Sequence, residues 1–138
     1  MRIMAIDYGD AHTGIAISDP TGLLAGFTTV INSRRQEVVV EQVAALAKEH
    51  GAEELVLGHP VNMDGTLAPR SEKAKAMKVL LEEATSLPVV LWDERRTTID
   101  AHNILFNSGK NAKQRKKVVD AVAASLILEG YLTFKKSR

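Results

Sequence analysis

The stretch MRIMAID, residues 1–7, decides the fold. Its side chains alternate as in a strand, with Ile3, Ala5 and Asp7 on one face and Met4 and Ile6 on the other. Both faces are therefore largely apolar. Strands of this kind lie in the middle of sheets that are covered on both sides. The stretch predicts a central strand that ends in a carboxylate.

The remaining chain predicts one α/β domain built around this strand and spanning residues 1–138. Short strand-like runs at 13–18 and 26–31 follow across tight turns, which predicts an antiparallel meander of three strands. The later segments alternate between helix and strand: a helix at 34–50 with a Ser33-x-x-Gln36 capping box and a closing Gly51, strands at 54–58 and 88–92, and helices at 71–85, 97–106 and about 114–132. This order predicts a single mixed sheet flanked by helices, with strands four and five parallel to the first.

The composition is that of an ordinary folded protein. Of 138 residues, 45% are hydrophobic and 25% are charged, which excludes disorder as the main state. The absence of cysteine excludes disulfide frameworks, thiolate metal sites and cysteine nucleophiles. No apolar run approaches the roughly 20 residues that span a bilayer. We expect a cytoplasmic protein with no membrane partner.

Positive charge is concentrated at the end of the chain. Residues 110–138 carry a net charge of +6, whereas the preceding 109 residues carry −5. Cations in such a patch gain affinity for a polyanion through counterion release. The run that is expected to hold a nucleic-acid backbone is Lys113, Arg115, Lys116 and Lys117. The alternative interpretation is a solvated helix end.

Two aspartates do not fit their apolar surroundings. Asp7 ends the central strand, where an isolated carboxylate needs hydrogen bonds, a cation or a metal. Asp120 lies in VVDAVAASLIL, a helix that is apolar nearly all round and therefore buried. Each has a structural alternative: Asp7 as a cap of the Tyr8–Gly9 turn, and Asp120 as a helix-start residue favoured by the macrodipole.

A third acidic feature is WDERRTT, residues 92–98. Asp93 and Glu94 follow a strand, and ligands of α/β sheets gather beyond the carboxyl ends of strands. Successive strand residues point to opposite faces, so only one of the two is expected to line a site. The alternative is a surface cluster of ion pairs with Arg95 and Arg96, which contributes little to stability.

If Asp7, Glu94 and Asp120 converge, they form an all-oxygen site of the kind that selects Mg²⁺ or Mn²⁺. Clustered carboxylates repel one another unless divalent ions neutralise them. The chemistry that such a site serves best is in-line displacement at phosphorus. We also expect His12 and His59 to contact phosphate or substrate.

The chain resembles the YqgF/RuvX-like proteins of the RNase H-like superfamily. The resemblance covers nearly the whole length through IDYG with TGIAISD, LVLGHPVNMDGT, the PR-x-EKA segment, DERRTT and KKVVDAVAASLILEGYL. Members are bacterial and cytosolic, and are described as Holliday-junction resolvases or as nucleases that mature the 5′ end of 16S ribosomal RNA precursor.

The resemblance implies an RNase H-like fold and a metal-dependent phosphodiesterase with catalytic, metal-binding carboxylates at Asp7, Glu94 and Asp120. It also implies that Asn62, Asp64, Arg70 and Arg95 belong to the site or its rim. One departure stands out. Relatives carry a Lys-Arg pair where this chain has Ala11-His12, which replaces two phosphate-contacting cations.

Three functional interpretations remain open. The leading one is a Mg²⁺- or Mn²⁺-dependent nuclease acting on ribosomal RNA precursor, as a monomer or homodimer. The same chemistry would serve a Holliday-junction resolvase, which needs two sites in a symmetric dimer. The non-enzymatic alternative is a ribosome-associated RNA-binding module. A nucleotide-binding domain of the actin-like type is disfavoured, because those proteins enclose ATP between two such domains.

Overall fold

The computed structural model describes residues 1–19, 25–59, 71–93 and 112–136. Its strands are β1 (Ile3–Asp7), β2 (His12–Ser18), β3 (Ala25–Asn32), β4 (Glu54–His59) and β5 (Val89–Asp93), and its helices are α1 (Gln36–His50), α2 (Ser71–Thr85) and α3 (Ala112–Lys136). The bounds agree with the predicted ones to within a few residues at each end. The predicted helix at 97–106 and loop residues 60–70 lie outside the described residues.

The five strands form one mixed sheet in the order β3-β2-β1-β4-β5. β1 to β3 are antiparallel, whereas β4 pairs parallel with β1 and β5 pairs parallel with β4. This confirms the predicted sheet, including the central position of β1. Because β1, β4 and β5 are parallel, their last residues lie at one edge of the sheet, here called the carboxyl edge.

Alternation along the strands divides the core into two layers. Met4 and Ile6 pack with residues of α1 and α2, on what we call the α1/α2 face. Ile3 and Ala5 pack with residues of α3, on the α3 face. All four side chains are almost completely buried. The apolar pattern on both sides of MRIMAID therefore arises because helices cover both faces of β1.

The two ends of α1 differ in how well the sequence predicts them. Gly51 closes the helix in the left-handed conformation at φ 69°, as expected. The predicted capping box is wrong: Arg35 is the N-cap residue, no side chain caps the helix, and the Ser33 hydroxyl accepts a hydrogen bond from the Arg35 N–H instead. The Arg35 side chain pairs with Glu37 at 2.8 Å.

The last turns of α3 are fastened to the start of β4. The buried Glu54 carboxylate accepts a hydrogen bond from the Tyr131 hydroxyl and a second from Lys135 Nζ at 3.0 Å. A buried carboxylate is tolerated when such partners compensate its lost hydration. These two bonds hold the last turns of α3 beside the first residue of β4, at the end of the sheet that lies opposite the carboxyl edge. Among the described helices, none combines the length and apolarity needed to cross a membrane.

Candidate active site at the carboxyl edge

Asp7 is the last residue of β1 and is half-buried on the α3 face, where the alternation from Ile3 and Ala5 places it. Its carboxylate makes no hydrogen bond or ion pair with any residue that the structure describes. It therefore does not cap the following turn. A partly exposed carboxylate of this kind is available to solvent or to a ligand.

Two glycines flank Asp7 across the sheet. Gly14 of β2 is its direct antiparallel partner. On the other side, the parallel register pairs Ile6 with Leu57, so the next position of β4, Gly58, lies beside Asp7. Neither neighbour has a side chain, so no side chain of the adjacent strand positions lies beside the carboxylate. Sequence reasoning missed this feature, because pairing register decides which glycines lie beside Asp7.

His12 shares this corner of the sheet. It begins β2 two positions from Gly14, so alternation places it on the α3 face as a diagonal neighbour of Asp7. Its Nδ1 lies 2.7 Å from Oδ1 of Asn32, its partner on β3. An amide oxygen only accepts, so Nδ1 carries the hydrogen and Nε2 remains to contact a substrate. The sequence did not indicate this contact between His12 and Asn32.

The start of α3 changes the interpretation of Asp120. The helix begins at Ala112, so Asp120 is more than two turns inside it. The macrodipole acts within about the first turn, so it does not account for an aspartate there. The cations of residues 113–117 lie inside the first two turns of α3. Positive side chains at a helix N-terminus oppose the macrodipole, which disfavours a purely structural role for this run.

The remaining predicted site residues are described in part or not at all. His59 and Asp93 are the last residues of β4 and β5 and therefore lie at the carboxyl edge. Five others lie outside the described residues: Asn62, Asp64, Arg70, Glu94 and Arg95. For Asp120 and residues 113–117 the helical backbone is described, but not the side chains. Within the described ranges, no three acidic or histidine side chains gather as a metal site would require.

Sequence comparison matches nearly the whole chain to known proteins. Residues 1–134 match the model of the RuvX family, described as Holliday junction resolvase. A relative from Halothermothrix orenii is 42% identical over 135 residues, covering 98% of this chain and 96% of its own, and is named "Putative pre-16S rRNA nuclease". The matches run through the whole described fold, from β1 into the last turns of α3.

Solved structures agree with the observed topology. RuvC of T. thermophilus, in complex with a Holliday junction substrate, matches with a TM-score of 0.64 at 14% identity, covering 99% of this chain and 96% of that one. A Fowlpox virus resolvase in complex with Holliday junction DNA matches with a TM-score of 0.56 at 11% identity, over 99% and 98% of the chains. These likenesses confirm the predicted RNase H-like fold. Fold and sequence together show that this chain belongs to the RuvX family.

Proposed function

We propose that this protein is a divalent-metal-dependent nuclease that hydrolyses phosphodiester bonds of structured nucleic acid, with 16S ribosomal RNA precursor as its substrate. The observation that carries the proposal is Asp7. It is a half-buried carboxylate at the carboxyl end of the central strand, between two glycines, without a compensating partner among the described residues. The names of its relatives, such as that from Halothermothrix orenii, support the substrate.

The donor set of the proposed site is Asp7, Glu94 and Asp120. Carboxylate oxygens are the ligands that Mg²⁺ and Mn²⁺ prefer, and the open space beside Asp7 suits an ion and a phosphate. When bound, such an ion activates water and stabilises the charge that develops at phosphorus. The protein's own contribution is to hold the carboxylates at fixed positions on β1, after β5 and on α3.

The sheet register supports the inclusion of Glu94. Gly58 pairs with Trp92, so Asp7, Gly58 and Trp92 form one row across the sheet. Trp92 packs on the α3 face. Strand alternation would return to this face two positions after Trp92, at position 94. For this reason our proposal takes Glu94 rather than Asp93.

Helix geometry supports the inclusion of Asp120. Tyr131 is held at Glu54, four residues before Gly58 along β4, a distance of about 13 Å at roughly 3.3 Å per strand residue. Asp120 lies eleven residues before Tyr131, or about 16 Å along α3 at 1.5 Å per residue. A helix inclined to the strands by some tens of degrees would therefore bring Asp120 to the level of Asp7. Asp120 also lies one turn before Ala124, which packs on the α3 face.

The residues proposed to bind the substrate surround this edge. His12, held by Asn32, presents Nε2 on the α3 face and takes the place of the basic pair found in relatives. The cations of residues 113–117, in the first turns of α3, contact the nucleic-acid backbone. The rim residues that the family resemblance assigns are Asn62, Asp64, Arg70 and Arg95.

The proposal is tested with the Asp7→Asn variant, which keeps the shape of the side chain and removes its charge. We expect at least a hundredfold loss of Mn²⁺-dependent cleavage of a precursor 16S rRNA fragment, together with weaker Mn²⁺ binding by calorimetry. Glu53→Gln is the matched control, since Glu53 is exposed beside the opposite edge of the sheet. If Asp7→Asn cleaves as fast as the control, Asp7 does not carry the chemistry and the proposed site is wrong. If neither the unmutated protein nor the control cleaves, the nuclease proposal is wrong and an RNA-binding module becomes the better interpretation.

Branched DNA is the second candidate substrate, because the family is described as Holliday junction resolvase. A four-way DNA junction assayed beside the rRNA fragment separates the two. A resolvase makes paired cuts from two sites in a symmetric dimer. Junction cleavage together with a dimeric mass in solution would favour the resolvase, whereas faster rRNA cleavage by a monomer would favour the maturation nuclease.

A further inference from the structure

A polar cavity of about 470 Å³ opens on the α1/α2 side of the carboxyl edge. Its lining residues are Tyr8, Asp10, Arg34, Gln36 and Lys73. Tyr8 directly follows Asp7 and packs against the α1/α2 core. The cavity therefore adjoins the proposed catalytic carboxylate across the edge of the sheet. Its size is typical of ligand-binding cavities, which span roughly 300–1,000 Å³.

The cavity carries two cations and one carboxylate. Lys73 Nζ lies 3.4 Å from Asp10 Oδ1, and both side chains are more than half exposed. Such a pair contributes little stability, so Lys73 can exchange Asp10 for another anion. Arg34 forms no ion pair with the described residues, whereas its neighbour Arg35 is held by Glu37. The guanidinium that is left without an ion pair among the described residues is therefore that of Arg34, which lines the cavity.

The backbone adds to this positive character. Gln36 is the first residue of α1, and the N-cap residue Arg35 makes no side-chain capping bond, whereas the carboxylate of Glu37 bonds the backbone N–H of its own residue. The first N–H groups of a helix lack intrahelical acceptors, and the macrodipole makes this end attractive to anions. The arginine fork and the ammonium group are the side chains with which proteins bind phosphate, and the helix start adds to them the N–H of Gln36.

From these contacts we infer that the cavity binds a backbone phosphate of the nucleic-acid substrate, adjacent along the strand to the phosphodiester that lies at Asp7. The inference rests on the proposed function for its substrate class. Arg34 and Lys73 neutralise the phosphate, and Asp10 holds Lys73 at the cavity when the substrate is absent. The strand would then cross the carboxyl edge, with one phosphate on each face of the sheet.

The test compares two double variants that remove the same charge. Arg34→Gln/Lys73→Gln empties the cavity of cations. Arg35→Gln/Lys75→Gln changes exposed neighbours on the same segments that pair with Glu37 and Glu72 instead. The affinity of each variant for a fluorescent RNA that spans the 5′ end of 16S rRNA is measured at a series of salt concentrations. The buffer contains Ca²⁺, and the RNA is checked to be uncleaved after each measurement. The series is repeated with a four-way DNA junction.

For two lost phosphate contacts, the slope of log affinity against log salt should become shallower by about 1.4 on single strands or about 1.8 on duplex. At 0.1 M salt this corresponds to roughly 25-fold weaker binding on single strands. The control double variant should leave the slope unchanged. If both double variants lose the same affinity for nucleic acid, the loss comes from the overall charge of the protein and not from the cavity, and the inference is overturned.

A free anion is distinguished from a backbone phosphate by a second measurement. Inorganic phosphate is titrated while the Arg34 Nε resonance is followed by NMR. The inference fails if two results occur together: phosphate shifts the Arg34 resonance of the unmutated protein, and the salt slope for nucleic acid is unchanged in Arg34→Gln/Lys73→Gln. The cavity would then bind free phosphate and not the nucleic-acid backbone. Active Asp7→Asn enzyme would refute the proposed nuclease chemistry alone, because the salt slopes are measured without cleavage.

Discussion

The fastening of α3 to Glu54 permits a prediction whose size follows from the structure. Tyr131→Phe removes one hydroxyl and leaves the ring in place, including its edge contact with Trp92 at 5.7 Å between centroids. The Glu54 carboxylate, whose side chain is 9% exposed, then loses one of its two partners. A hydrogen bond to a charged group contributes about 1.5–3 kcal/mol, so the free energy of unfolding should fall by about that amount.

Urea denaturation followed by circular dichroism measures this loss, with Lys135→Met as the comparison. Lys135 is 39% exposed, so its pair with Glu54 is screened and the variant should lose less stability than Tyr131→Phe. In a double-mutant cycle, Glu54→Gln should show a coupling with Tyr131→Phe of at least about 0.5 kcal/mol. A loss below about 0.5 kcal/mol in Tyr131→Phe, or additive behaviour of the pair, would refute the view that this hydrogen bond holds the helix.

Three further predictions concern the core, the basic run and the start of α1. Leu128→Ala should lower the free energy of unfolding by about 2–5 kcal/mol in the same denaturation assay, because the side chain of Leu128, which belongs to α3, is fully buried against the sheet. Replacing the four cations of residues 113–117 with Gln should make the nucleic-acid salt slope shallower by roughly 0.7 per lost contact on single strands, with little change of cleavage rate at saturating substrate; an unchanged slope would make the run a solvated face. The pKa of Glu37 lies below 4.5, first because of a backbone hydrogen bond and then because of Arg35. Arg35→Gln should therefore raise this pKa only part of the way, and ¹³C NMR titration at low salt should show it; the contribution of Glu37 to stability is present above pH 4.5 and is lost as the pH falls through the lowered pKa.

The fold could be predicted from the sequence because its signals are local. Residues 1–7 alternate with apolar side chains on both faces, and this pattern has one physical explanation, a strand between two helical layers. The start of α1 was mispredicted for an equally local reason. The Ser33 hydroxyl accepts a hydrogen bond from the N–H of Arg35 rather than from one inside the helix.

The candidate site was predictable only where a residue conflicts with its surroundings. Asp7 stands out at the end of an apolar strand, whereas Gly58 becomes its neighbour only through the register of β1 with β4. The contact between His12 and Asn32 likewise depends on the register of β2 with β3, across 20 residues of chain. Such pairings are set by the whole sheet. The cavity formed by Arg34 and Lys73 joins segments that are farther apart still.

The order in which the elements follow one another along the chain has a consequence for synthesis. The face of β1 that bears Asp7 is covered by α3, which begins about 105 residues later. At roughly 5–20 residues per second, the ribosome takes about 5–20 s to synthesise the chain from β1 to the start of α3. During this time the meander of β1, β2 and β3 exposes Ile3 and Ala5 to solvent, so the nascent chain is most prone to aggregation before its last helix emerges. β1 and α3 must meet before this face of the sheet is closed, and a chain that stops short of α3 leaves its central strand bare on one side.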